Sequence, residues 1–363
     1  MSIFIFHGFL LLCFVQVTIP NVEVLNLAEI ATNIDLNSPQ KCRYSRANSI
    51  LEARCSNLDL QKIPLDLKTN IQVLDFNSNR VRELKNDSLQ PYNKLAFIYL
   101  GYNLIRKIEE AAFANQPYLE VLDLTDNNCR NLPKSLFQLP YLRTLYLSHN
   151  EFTDSVFKVN VTSPLRLLHL TNNKLNKIPN IGVQPTLLNL DVSDNFITSI
   201  STEDLAPFCS LKELDLIGNS ISFKAGSCNC HTFNAWVKLR KIKMQPNYLY
   251  KCINSPTLNK ACANVTFSNR TYELYHECLA MMHQKMKTEQ ARSFLIRVAL
   301  SISVFLFVVF VALFCVCKRN RRQRRRQKEQ LTVNNDNMKL LNSNLTIINE
   351  ILVDRMQNSV RRT

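Results

Sequence analysis

Twelve cysteines, six histidines, eleven tyrosines and a scatter of carboxylates are the side chains of this 363-residue chain that could carry chemistry. Their spacing decides which chemistry. The chain has no phosphate-cradling glycine loop, no nucleophile elbow and no HExxH pair, and only five glycines in all. His149 and His169 fall two positions out of column and read as exposed contact residues, not as a catalytic or metal pair. Cys228-Asn-Cys230 lacks the two-residue gap usual in zinc sites. No enzyme, cofactor or metal site is therefore expected. The groups that remain suit disulfide bonding, glycan attachment at the sequons Asn86, Asn160, Asn264 and Asn269, and noncovalent binding by tyrosine and carboxylate.

The elements that must position these groups repeat. From Ile71 to Ile221 one pattern returns seven times, leucine-type at positions 1, 4, 6 and 11 and asparagine at position 9, for example LEVLDLTDNNC from Leu119. Copies begin at Ile71, Leu95, Leu119, Leu142, Leu165, Leu187 and Leu211. That period defines a leucine-rich-repeat solenoid of α/β type, a curved parallel sheet on the concave face, with its core between neighbouring repeats. Positions 3 to 7 are expected to alternate in and out as a short strand. Asn79, Asn103, Asn127, Asn150, Asn173, Asn195 and Asn219 stand where each strand turns inward, because an amide both donates to and accepts from buried backbone.

Stacking then turns sequence positions into surface columns. The outward central column is Asp75, Tyr99, Asp123, Tyr146, His169, Asp191 and Asp215, flanked by Val73, Phe97, Val121, Thr144, Leu167, Asn189 and Glu213. Outward strand residues have no core to enter. Phe97, Tyr99, Asp123, Tyr146, Leu167 and His169 are therefore the expected contacts for a protein ligand, one with a basic rim to meet the carboxylates.

Two apolar runs set the compartment. Ile3 to about Val17 has the length of a signal-peptide core, within a leader taken as residues 1–20. Val298 to Cys317 is uncharged and long enough to cross about 30 Å of hydrocarbon. KRNRRQRRRQK follows it, and the positive-inside rule places this flank in the cytoplasm and the repeats outside. The expected result is a type I single-pass plasma-membrane protein. The tail from Lys318 holds 12 basic and 4 acidic residues, so much of the net charge of +15 belongs to it. This argues for contact with anionic lipid and against a nucleic-acid partner.

At both ends of the repeats the chain resembles capped extracellular leucine-rich-repeat proteins. CSNLDLQKIP, ending at Pro64, is similar to their amino-terminal cap, here reduced to one disulfide, Cys42 with Cys55. Cys228, Cys230 and Trp236 resemble their carboxy-terminal cap. The resemblance implies Cys228 with Cys252, and Cys230 with Cys278 or else Cys262, leaving the pairing of Cys209 open. Nine cysteines lie between the expected leader and the membrane run, so at least one is unpaired, and Cys129 at position 11 of the third repeat is the natural one. Phe113 and Phe137 resemble the family's convex-side spine phenylalanines. The expected divisions are an amino-terminal cap at 42–70, seven repeats at 71–224, a terminal cap at 225–278, a polar stalk at 279–297, the span at 298–317 and the tail at 318–363.

The tail carries Asp336-Asn-Met-Lys-Leu340-Leu341, similar to acidic dileucine sorting signals. It also carries Met338, Leu341, Leu345, Ile348 and Leu352 at helical spacing, a face that needs a partner or a membrane surface. Cell-surface recognition of a protein ligand, as adhesion molecule or co-receptor, is the leading expectation. Regulation of a neighbouring receptor's signalling or trafficking through the tail is the second.

Overall fold

The computed structural model describes residues 41–247, 249–252, 262 and 264–360, so the expected leader lies outside the described residues. A hairpin opens the fold, β1 (Arg43–Ala47) antiparallel to β2 (Ile50–Arg54), with Cys42 bonded to Cys55 at its base. Seven three-residue strands follow, one per repeat: β3 (Val73–Asp75), β5 (Phe97–Tyr99), β7 (Val121–Asp123), β8 (Thr144–Tyr146), β9 (Leu167–His169), β10 (Asn189–Asp191) and β11 (Glu213–Asp215). They pair in parallel and in register, position for position, and β12 (Lys243–Gln245) extends the sheet beyond the last repeat. On the far side β4 (Glu83–Leu84) pairs with β6 (Lys107–Ile108).

Register makes the core a stack. Leu74, Ile98, Leu122, Leu145, Leu168, Leu190 and Leu214 form one buried column, and Phe76, Leu100, Leu124, Leu147, Leu170, Val192 and Leu216 a second. Phe113 and Phe137 are buried on the convex side, and Phe157 packs edge-on against Phe137 at 6.2 Å. At the open amino-terminal end Ile63 is buried, and Leu58 and Leu60 are half-buried against the core.

The asparagine ladder is complete. Each amide oxygen accepts an N–H from the preceding turn, as Asn127 does from Ile105 at 2.9 Å. Each amide nitrogen reaches carbonyls in its own and the preceding repeat, as Asn127 does at Leu124 and Leu100. The strands are shorter than the alternation predicts, ending at position 5. Position 8 is the cause, since Ser78, Tyr102, Asp126, His149, Asn172 and Asp194 take φ of 51 to 55°, turning the chain inward. At the same place in the last repeat Gly218 has φ 71°, and a Cβ there would sit 1.9 Å from Asp194 Oδ1.

The carboxy-terminal end differs from the expected pairing. Cys228 bonds to Cys262, Cys230 to Cys252 and Cys209 to Cys278. The resemblance had implied Cys228 with Cys252, and Cys230 with Cys278 or else Cys262. Helix α1 (Thr202–Leu205) and α2 (Asn229–Arg240) lie beside the start of α3 (Asn269–Val360), and Thr202 is hydrogen-bonded to Thr271 at 2.8 Å. That docking brings Cys278 to the last repeat, where its Cα lies 5.8 Å from that of Cys209. Trp236 of α2 is buried edge-on against Phe267 and Tyr275, while Arg240 covers the Tyr275 ring and reaches the Cys209 carbonyl. Cys129 is free and fully buried, and desolvation pushes its thiol up to about 12, so it packs as a small apolar group.

Residues 279–297, the segment read as a polar stalk, are helical and part of α3. Among the described residues α3 is the one helix long and apolar enough to cross a membrane, with a mean hydropathy of 3.0 in its most apolar window.

Candidate functional site: the concave sheet face

Parallel pairing puts Tyr99, Asp123, Tyr146 and His169 on four consecutive strands, directly opposite one another in register, with Phe97 and Leu167 in the flanking column. Adjacent members stand about 4.8 Å apart across the sheet. Tyr146 meets the His169 ring edge-on at 5.2 Å. Burial holds the Tyr99 hydroxyl above the usual tyrosine range, helped by Tyr146, Asp123, Glu52 and Asp75, so it stays a neutral donor. The six expected contacts therefore form one ridge. Each is half-buried, since its neighbours in the columns cover its flanks.

The aspartates of the central column also have a backbone role that sequence reasoning missed. Position 7 N–H groups donate to them: Asn77 to Asp75 at 3.2 Å, Thr125 to Asp123 at 2.8 Å, Ser193 to Asp191 at 3.0 Å and Ile217 to Asp215 at 3.0 Å. Each carboxylate thus captures the donor where the chain leaves the strand, as Asx turns do. Asp215 is nonetheless raised above the usual carboxylate range, first by burial and then by Asp191 and Asp194, which outweigh the Ile217 N–H.

Two cap strands lengthen the face beyond the seven repeats. Arg54 continues the central column next to Asp75 and Glu52 the flanking one, while Lys243 and Gln245 close the other end. A recess of about 370 Å³ lies at that end, lined by His169, Asp191, Glu213, Asp215 and Lys243. The alternation in ILEAR and KIKMQ was the signal for these strands.

His149 is not on a strand. It sits in the turn after β8, exposed, with its Nδ1 2.8 Å from Asn172 Nδ2. The most exposed large side chains of the repeats also lie outside the concave columns, among them Tyr102 at 62%, Phe196 at 61% and the stacked pair Tyr118 and Tyr141. All four sequon asparagines, Asn86, Asn160, Asn264 and Asn269, are exposed. So are Asp336, Leu340 and Leu341 on α3. Among the described residues no group of acidic, histidine and cysteine side chains is arranged to hold a metal ion.

Comparison with known proteins agrees with the repeat fold. A family model described as leucine rich repeat matches residues 94–152. Tsukushi of Gallus gallus is 30% identical over 182 residues, covering 48% of this chain and 48% of that protein. The platelet glycoprotein Ib alpha chain of Mus musculus is 31% identical over 116 residues, 32% of this chain and 16% of that one. Toll-like receptor 8 of Homo sapiens is 27% identical over 235 residues, 53% of this chain and 22% of that receptor. The chain spans about half the length of Tsukushi and far less of the other two. It is a leucine-rich-repeat protein, with disulfide-bonded ends and one candidate membrane span.

Proposed function

We propose that this protein is a type I single-pass protein of the plasma membrane whose repeats face outward and bind a protein ligand, as adhesion molecule or co-receptor. The observation that carries the reading is the ridge of Phe97, Tyr99, Tyr146, Leu167 and His169 on a sheet face that, among the described residues, packs against no other element, with carboxylates at both ends. Aromatic anchors of this kind, ringed by charge, suit a partner with a basic rim. The similarity to a Toll-like receptor supports a receptor role in general. Glycans at the four sequons leave the ridge free, because none of the four lies on the concave strands.

The decisive experiment pairs Tyr99→Ala with Tyr146→Ala in a folded, normally secreted ectodomain, after a screen of that ectodomain against surface and secreted proteins has supplied the ligand. Binding should weaken at least about tenfold, the 1.4 kcal/mol step. Unchanged affinity, with loss on altering the convex side or the terminal cap, would move the site there.

Orientation has its own test. The charge step after Cys317 means that protease added to intact cells should remove the glycosylated part and spare the tail. A glycan on Asn344, in the tail's own Asn-Leu-Thr, would reverse the topology.

A second reading rests on Leu340 and Leu341, which are 61% and 64% exposed next to Asp336 and so are open to an adaptor. In it the protein regulates the trafficking of a receptor in the same membrane. A phenotype that survives when the ectodomain is attached to a lipid anchor favours adhesion. One that depends wholly on the two leucines favours trafficking.

A further inference from the structure

Because α3 runs unbroken through the candidate span into the tail, the apolar residues beyond Lys328 have a definite helical phase. Leu331, Met338, Leu345 and Leu352 recur every seven residues, and Asn334, Leu341 and Ile348 stand three residues after the first three of them. These are the two core positions of a heptad repeat, sustained over three heptads. In the isolated chain the apolar ones are all exposed, from 64% at Met338 and Leu341 to 50% at Leu352. Such a face has no reason to stay in water.

The positions flanking the seam identify what covers it. They are Asn335, Asn342 and Asn349 on one side and Asn337, Asn344 and Ile351 on the other, with no charge among them. Flanking charges normally select a different, complementary partner. Asparagine complements itself, since one amide donates to the carbonyl oxygen of an identical amide and accepts from its nitrogen. The segment Leu331 to Val353 holds one basic and two acidic residues, Lys339, Asp336 and Glu350. That balance gives anionic lipid little to attract, so the membrane surface is the weaker occupant.

We infer that the tail helix from Leu331 to Leu352 forms a parallel, in-register coiled coil with a second copy of this chain. The span at 298–317 sets the geometry, because two copies anchored in one bilayer enter the cytoplasm side by side and pointing the same way. From Cys317 to Leu331 is about 21 Å of helix at 1.5 Å per residue, the same in both copies, and register follows without adjustment. Asn334, the one polar core position, faces its own counterpart at the membrane-proximal end and penalises slipped pairings. The basic runs of Lys318 to Lys328 repel one another in the pair, but they lie beside the headgroups, where salt and anionic lipid screen them. Pairing would cover Leu341 and leave Leu340 outside the seam, so assembly would hide half of the dileucine pair.

Disulfide trapping in membranes from cells expressing the full-length chain tests this, with Cys315 and Cys317 replaced by serine. Leu345→Cys in the seam should crosslink to a covalent dimer under mild oxidation at least tenfold more than Ser343→Cys on the opposite face. Adding Met338→Asp and Ile348→Asp to Leu345→Cys should abolish the crosslink while surface expression persists. Equal crosslinking at Leu345 and Ser343, none at either, or stronger crosslinking at Ile347→Cys, in a shorter apolar row with Val333 and Leu340, would each overturn the proposal. A crosslink that survives both aspartates would do the same, since the membrane span alone would then be bringing the copies together.

Discussion

Cys278→Ser is expected to lower the unfolding free energy of the capped repeats by about 4 kcal/mol. The bond it removes closes a loop with a sequence separation of 69 residues, and the chain-entropy cost of leaving such a loop open in the unfolded state is about that size. The native state loses as well, because the Cys209 N–H donates to the Cys278 sulfur at 3.1 Å and Arg240 reaches the Cys209 carbonyl. The bond also fastens the first turns of α3 over the end of the repeat stack, alongside the Thr202–Thr271 bond and the Trp236 cluster. Cys209→Ser should lower the denaturant midpoint by a similar amount, and the double variant should be little worse than either single one, because all three lack the same bond. A large loss for Cys278→Ser with none for Cys209→Ser would mean that Cys278 pairs elsewhere.

Asn127→Ala should also destabilise the repeats strongly. Its side chain is 7% exposed and serves four backbone groups: it accepts from Ile105 N–H and donates to the carbonyls of Leu100, Leu124 and Thr125. Alanine leaves the Ile105 donor with no partner in a dry turn. Stranding one buried group costs about 1 to 3 kcal/mol, and the abandoned carbonyls add to that. Asn219 supplies the comparison, since it makes the same bonds at the last rung but is only half-buried, so water can replace them. Asn219→Ala should therefore cost clearly less. Equal costs at both rungs, read from urea unfolding of the same ectodomain, would mean that burial does not set the value of the ladder.

The aspartates at position 5 of the repeat, as in LEVLDL from Leu119, show how far a sequence pattern can be read. Their outward direction follows from alternation alone, and the pairing of Asp75 next to Tyr99 and Asp123 next to Tyr146 bears that out. That each carboxylate also takes the N–H two residues on, and so helps to end the strand at position 5, was not legible. It depends on a left-handed turn at position 8 whose residues, Ser, Tyr, Asp, His, Asn and Asp, share no obvious type. The exposed stack of Tyr118 on Tyr141 was equally hidden, since those tyrosines lie before the strands, outside the alternating segment.

What the sequence determined by itself were the features that repeat. Parallel strands stacked in register turn each position of the repeat into a column, so seven copies of one pattern specify the two core columns, the asparagine ladder and the outward ridge together. The apolar run at 298–317 is equally local, because length and absence of charge suffice to mark a candidate span. Tertiary structure decided what occurs once. Cys228, Cys230, Cys252, Cys262, Cys209 and Cys278 pair by proximity, with Cα separations of 5.5 to 5.8 Å, and the Cys209–Cys278 bond forms where α3 docks on the last repeat. No spacing along the chain encodes that docking. The sheet likewise gains β2 and β12 because each end strand presents unpaired backbone groups, and whichever neighbouring segment can satisfy them joins it.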